Sequence, residues 1–174
     1  MLTVLLGGAR SGKSALAVDM GRRHDGAVIF VATSPHIPGD RDLDDRIAKH
    51  RDERPATWHT IEEQLDLTAA IATSPDALMI VDCLTLWLNN MLHHGAEQAA
   101  IDEATSAAIA AACDRRGHTV VITNEVGLGI VPENDLGRLY RDRLGRLNQQ
   151  WVAASDRAYL MVAGRALALT DPKI

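Results

Sequence analysis

The feature that most constrains this chain is an octapeptide near its start, Gly7-Gly8-Ala9-Arg10-Ser11-Gly12-Lys13-Ser14. It fits the pattern GxxxxGK[ST] without a mismatch. It also stands in the context that pattern needs, after an apolar run from Leu2 to Leu6 and before a segment with Leu16, Ala17 and Met20 at helical spacing. A strand, a glycine-rich turn and a helix in that order make a cradle for phosphate. Small residues let backbone N–H groups turn inward toward phosphate oxygens, and the helix N-terminus adds its partial positive charge. In such a loop the lysine, here Lys13, reaches the β- and γ-phosphates, and the following hydroxyl, here Ser14, holds Mg²⁺.

The rest of the chain alternates in the same way. Apolar runs predict strands over Ala27 to Ala32, Thr57 to Ile61, Leu78 to Val81, Thr119 to Thr123 and Ala158 to Ala163, with Ala166 to Leu169 pairing beside the last. Helical spacing predicts helices over 14–24, 40–54, 62–72, 84–92, 97–116 and 135–154, the last with Leu136, Leu139, Tyr140, Leu144, Leu147 and Trp151 on one side. Strands alternating with helices imply an α/β fold, a mostly parallel sheet with helices on both faces. At 174 residues, with no linker or repeat, the whole of 1–174 reads as one domain.

Composition narrows the function. Eighteen Lys and Arg against 23 Asp and Glu give a net charge of −5, and only six residues are aromatic. Neither a basic face for nucleic-acid phosphates nor a stacking platform is expected. No run is long and apolar enough to predict a membrane span, and the apolar start lacks the basic region of a signal peptide. Cys83 and Cys113 share no ligand spacing and read as two buried, reduced thiols, so the expected compartment is the cytoplasm. The histidines form no metal cluster, which leaves Mg²⁺ with nucleotide as the expected metal.

Two further places carry chemistry. Asp82 closes an apolar strand, where a second Mg²⁺-orienting carboxylate is expected; the alternative is a helix cap before Leu84. Residues 40–54 are the densest charge stretch, 11 of 15 positions, with His50 one turn after Arg46 and beside Lys49 and Arg51. Cationic neighbours favour a neutral, nucleophilic imidazole and stabilise charge on an attacked phosphate; the interspersed aspartates weaken that field, and a solvated surface helix is the alternative.

The combination resembles a known family. The P-loop, then Ala32-Thr33-Ser34, then Arg46-Ile47-x-x-His50-x-x-x-Arg54-Pro55, then Thr123-Asn124-Glu125-Val126-Gly127-x-Gly129-x-Val131-Pro132 are similar to the bifunctional adenosylcobinamide kinase/adenosylcobinamide-phosphate guanylyltransferases of cobalamin biosynthesis. The resemblance spans nearly the whole chain and implies a RecA-like P-loop fold and a homotrimer. It implies phosphorylation of the aminopropanol hydroxyl of adenosylcobinamide, a corrinoid, with ATP or GTP. It also implies transfer of GMP from GTP to that phosphate through a guanylylated histidine, matched here by His50. Nucleotide contacts are then expected from Thr33, Ser34, Arg51, Asp52, Glu53, Arg54, Glu62 and Asp82 in addition to the P-loop, with Ser14 and Asp82 on the metal. Two rivals remain at this point. A P-loop kinase for another small acceptor would form no covalent nucleotide, and a nucleotide-binding module of a larger assembly would need a partner surface.

Overall fold

The structure is a computed structural model and describes residues 1–35, 51 and 54–171. Seven strands, β1 (Leu2–Gly7), β2 (Val28–Ala32), β3 (His59–Glu62), β4 (Leu78–Asp82), β5 (Thr119–Ile122), β6 (Arg157–Val162) and β7 (Arg165–Leu169), form one sheet in the order β3-β2-β4-β5-β1-β6-β7. Every neighbouring pair is parallel except the β6–β7 hairpin. The described helices are α1 (Lys13–Arg22), α2 (Leu67–Ala72), α3 (Leu84–His93), α4 (Gln98–Asp114) and α5 (Asp135–Ala154).

The inner strands are buried on both faces, which is why β1 and β4 read as unbroken apolar runs rather than alternating ones. Alternate residues still serve different cores. Val4, Leu6, Met79 and Val81 join Trp87, Leu88, Ile101, Leu144, Leu147 and Trp151 under α2 to α5. Leu5, Leu78 and Ile80 join Ala17, with Leu16 and Met20 packed alongside, under α1. Helices therefore cover both faces, among the described residues one face with α1 and the other with α2 to α5.

Several expectations shift, each for a physical reason. The helix expected over 62–72 begins only at Leu67. Glu63 Oε1 accepts from the N–H groups of Leu65 and Asp66, both at 2.8 Å, and Asp66 Oδ1 accepts from Ala69 N at 2.9 Å as the N-cap. These local bonds hold a turn where periodicity alone would continue a helix. Glu62 consequently closes β3, in register with Ala32. In α5 the buried stripe holds Leu144, Leu147 and Trp151, but Leu136 and Leu139 stay exposed. Both cysteines are free, yet only Cys83 is buried; Cys113, near the end of α4, is exposed. Among the described residues no helix is long and apolar enough to cross a membrane.

Candidate active site

From β1 the chain crosses β5 and β4 to reach β2, whereas from β5 it crosses β1 to reach β6. The winding reverses there, and the carboxyl ends of β1 and β5 open a crevice of the kind in which α/β sheets bind ligands. The octapeptide lies at that point. Its turn needs left-handed backbone at Arg10 (φ 56°) and Gly12 (φ 101°). A Cβ on Gly12 would come within 3.1 Å of Gly164 Cα, and Gly164 N donates to Ser11 O at 2.9 Å. The β6–β7 turn thus buttresses the loop from outside.

Gly8, Ala9 and Arg10 form the exposed rim; Ser11 and Lys13 are buried beneath it and Ser14 is half-buried. Lys13 Nζ donates to Gly7 O (2.9 Å), Gly8 O (2.7 Å) and Ser11 Oγ (3.3 Å), so one ammonium ties the loop into a ring. Burial pulls its pKa below the usual lysine value, and the Cys83 sulfur and the Asp82 carboxylate act in the opposite direction. A buried cation held this way beneath a loop of backbone N–H groups suits a polyanion.

Asp82 ends β4, with only β5 between it and the P-loop strand. The Asp82–Cys83 peptide is cis. Thr33 is fully buried, and its hydroxyl both donates to Cys83 O (2.7 Å) and accepts from Cys83 N (2.8 Å). Thr33 N adds a bond to Asp82 O at 3.1 Å, so what this threonine touches is the main chain that carries Asp82. Ser34 follows, half-buried, its Oγ without a hydrogen-bond partner among the described residues.

Arg54 reaches the same edge. Its guanidinium lies 4.0 Å from the centroid of Phe30, a cation–π contact, and Nη1 is 3.5 Å from Thr60 Oγ1. Burial lowers its pKa, Asp82 and Glu62 oppose that, and Arg51 adds to it. Asp82, Glu62 and Arg54 therefore share one electrostatic environment, while Arg51 is exposed. The predicted nucleophile His50 and the predicted contacts Asp52 and Glu53 lie outside the described residues, as does most of the charged segment 40–54.

The polar residues at the end of β5 are legible only in part from the sequence: Thr123, Asn124 and Glu125 stand in the quoted motif, whereas Thr85 and Asn148 carry no signal. Asn124 N donates to Thr85 Oγ1 (2.8 Å), Thr123 Oγ1 to Asn148 Oδ1 (2.7 Å) and Asn148 Nδ2 to Asn124 O (2.9 Å). Tyr140 Oη donates to Thr85 O at 2.9 Å. Glu125 N donates to Gly7 O at 3.1 Å, closing the network onto the P-loop. Asn148 sits on a helix that reads as simply amphipathic, so only the quoted Asn124-Glu125 pair pointed toward it.

A lysine ring of this build, at the switch point of a sheet with one strand inserted before the carboxylate strand, defines a P-loop nucleotide-binding protein of RecA-like fold. A solved structure described as "Structural and biochemical analysis of a prototypical ATPase from the type III secretion system of pathogenic bacteria" matches it with a TM-score of 0.56. That match covers 98% of this chain and 59% of the other at 10% identity, a likeness of fold alone. Within that class the chain belongs to the cobinamide kinase / cobinamide phosphate guanyltransferase family, whose pattern matches residues 3–169. A relative in Pseudomonas aeruginosa named "Bifunctional adenosylcobalamin biosynthesis protein CobP" is 39% identical over 171 residues, covering 97% of each chain. Relatives named "Bifunctional adenosylcobalamin biosynthesis protein CobU" in Salmonella typhimurium and Escherichia coli are each 37% identical over 182 residues, covering 94% of this chain and 97% of theirs.

Proposed function

We propose that one phosphate cradle serves two reactions on a corrinoid. In the first, the aminopropanol hydroxyl of adenosylcobinamide takes the γ-phosphoryl group of ATP or GTP. In the second, a ring nitrogen of His50 attacks the α-phosphorus of GTP, pyrophosphate leaves, and a phosphoramidate carries GMP on the protein. An oxygen of adenosylcobinamide phosphate then attacks that phosphorus, the P–N bond breaks, and adenosylcobinamide-GDP is released. Covalent catalysis divides a transfer between two anions into two easier steps.

The observation that carries this reading is the position of Arg54, which brings the end of the predicted His50 segment over β2, into the field of Asp82. His50 is four residues before it, a tether of at most about 14 Å. Lys13 and the loop N–H groups would hold the β- and γ-phosphates: in the first reaction the γ-phosphoryl group is transferred away from the β-phosphate, and in the second both leave together as pyrophosphate. Ser14 and Asp82 suit Mg²⁺, since a hydroxyl and one carboxylate leave positions for phosphate oxygens and water. The described residues contain no cluster of three His, Cys, Asp or Glu that would hold a metal without nucleotide. When bound, the ion would neutralise triphosphate charge.

Glu62 stands four strands from β1, roughly 19 Å at the usual strand spacing, which suits the base or ribose end of a nucleotide rather than its phosphates. Thr33, Ser34, Arg51, Asp52, Glu53 and Arg54 are the remaining proposed nucleotide contacts, Thr33 acting through the main chain that carries Asp82. The proposed compartment is the cytoplasm. We extend the proposal to a homotrimer; association of copies is supported by the exposed Leu128, Ile130, Leu136 and Leu139, which a neighbouring copy would cover, and a monomer mass by light scattering at assay concentration would remove that part.

The test is incubation with Mg²⁺ and GTP labelled on the α-phosphate. Acid-labile, alkali-stable label on the protein that disappears in His50→Ala is the expected result. Absence of label on a protein that binds GTP would leave a plain kinase.

A further inference from the structure

We propose that Glu125 is the catalytic base of the kinase step, an inference that rests on the two-reaction reading above. Glu125 lies three residues beyond the end of β5, the strand between the P-loop strand and the Asp82 strand. Its main chain is fixed against the cradle from several sides. Glu125 N donates to Gly7 O at 3.1 Å, and two residues earlier Thr123 N donates to Leu5 O at 3.0 Å. Between them Asn124 is held at its N–H by Thr85 Oγ1 and at its carbonyl by Asn148 Nδ2, at 2.8 and 2.9 Å. A glutamate on so constrained a backbone, half-buried beside the first residue of a phosphate loop, is placed by the fold and not by its own flexibility. Its side chain is also oriented: Oε1 accepts from Gly127 N at 2.5 Å, which leaves Oε2 to receive a proton.

The other described groups at this edge have different duties. Asp82 stands on the second strand from β1 and faces the cations Lys13 and Arg54. Cys83, the residue after it, is buried and tied to Thr33 through both backbone groups. Glu62 is four strands away, and Glu63 follows it at that same far edge of the sheet. Among the described residues, the carboxylate whose backbone is bonded to the P-loop itself is Glu125.

The chemistry balances without a further reactant. As the acceptor hydroxyl oxygen bonds to the γ-phosphorus, its proton passes to Glu125. The bond from the γ-phosphorus to the β–γ bridging oxygen breaks, and its electron pair leaves with the nucleoside diphosphate. A positioned carboxylate is the ordinary partner of a hydroxyl in phosphoryl transfer. The guanylyl half-reaction has no such need, because its acceptor is a phosphate already ionised at neutral pH. Glu125 should therefore separate two activities that share one cradle.

The experiment compares the parent with Glu125→Gln, and with Glu125→Asp as a second variant should the first fail to fold. Three rates are measured: phosphorylation of adenosylcobinamide, self-labelling from α-labelled GTP, and guanylyl transfer to supplied adenosylcobinamide phosphate. The expected result for Glu125→Gln is a 10²- to 10⁴-fold loss of kinase kcat. The acidic limb of its pH profile should vanish, and both guanylyl rates should stay within about threefold of the parent. With Glu125→Asp, a smaller kinase loss confined to that step is expected. Kinase activity within about threefold of the parent, or an equal fall in all three rates, would overturn the assignment. A parent that phosphorylates no cobinamide would instead overturn the two-reaction reading on which it rests.

Discussion

His118 shows how one side chain ties the fold to pH. It sits just before β5, its Nε2 2.9 Å from Thr3 Oγ1, and burial pushes its pKa down to about 4, with the N-terminal ammonium, Arg157 and His24 acting in the same direction. The unfolded chain binds that proton near pH 6.5. Between those values the unfolded state holds more protons than the folded one, so stability rises with pH across the window and falls as pH drops from about 6.5 toward 4. His118→Gln removes the titration. Urea unfolding of parent and variant should give a parent that loses stability relative to the variant over that window; parallel curves would mean that His118 binds its proton equally in the folded and unfolded states. Thr33 teaches a related lesson. Its place after the second strand was readable, but the partner of its hydroxyl, the Cys83 backbone 50 residues later, was not, because a one-dimensional pattern carries no pairing across the sheet. The P-loop residues were readable individually because the pattern of glycine and lysine is itself the geometry. Even there, the left-handed Arg10 has no glycine to announce it.

Among the elements, the β6–β7 hairpin does more than end the sheet. The sequence suggested two paired runs but carried the first through Ala163. In the structure Ala163 and Gly164 form the whole connection, with φ of 50° and 76°. Positive φ at both central residues marks a primed two-residue turn, whose backbone twist matches the flanking strands. Alanine is ill suited to the first position, where a left-handed residue costs about 1–2 kcal/mol. Ala163→Asn should therefore raise stability by about 0.5–1 kcal/mol, or Tm by a few degrees, with GTP binding unchanged because Gly164 still meets Ser11 and Gly12. A lower Tm would show that the alanine methyl makes a contact worth more than the relieved backbone. The start of α2 was missed for the opposite reason: periodicity over 62–72 is real, but Glu63 and Asp66 offer the backbone better local partners than a helix does.

In the molecule as a whole, alternation of apolar and amphipathic segments fixed an α/β class, and the family resemblance supplied the RecA-like form. Strand order was beyond reach of either the composition or the spacing. Insertion of β5 between β1 and β4 is what brings Glu125 against Gly7, 118 positions earlier, and what spaces Asp82 from Lys13. The proposed function has one cradle serving chemistry at two different phosphorus atoms of a nucleotide. Lys13→Ala tests it most directly, assayed for cobinamide phosphorylation with γ-labelled triphosphate and for self-guanylylation with α-labelled GTP, with Tm measured alongside. The claim predicts that both rates fall by about 10²-fold or more, as loss of a phosphate-binding cation implies. Retention of either rate at the parent level in a folded variant would mean two sites rather than one, and would contradict it.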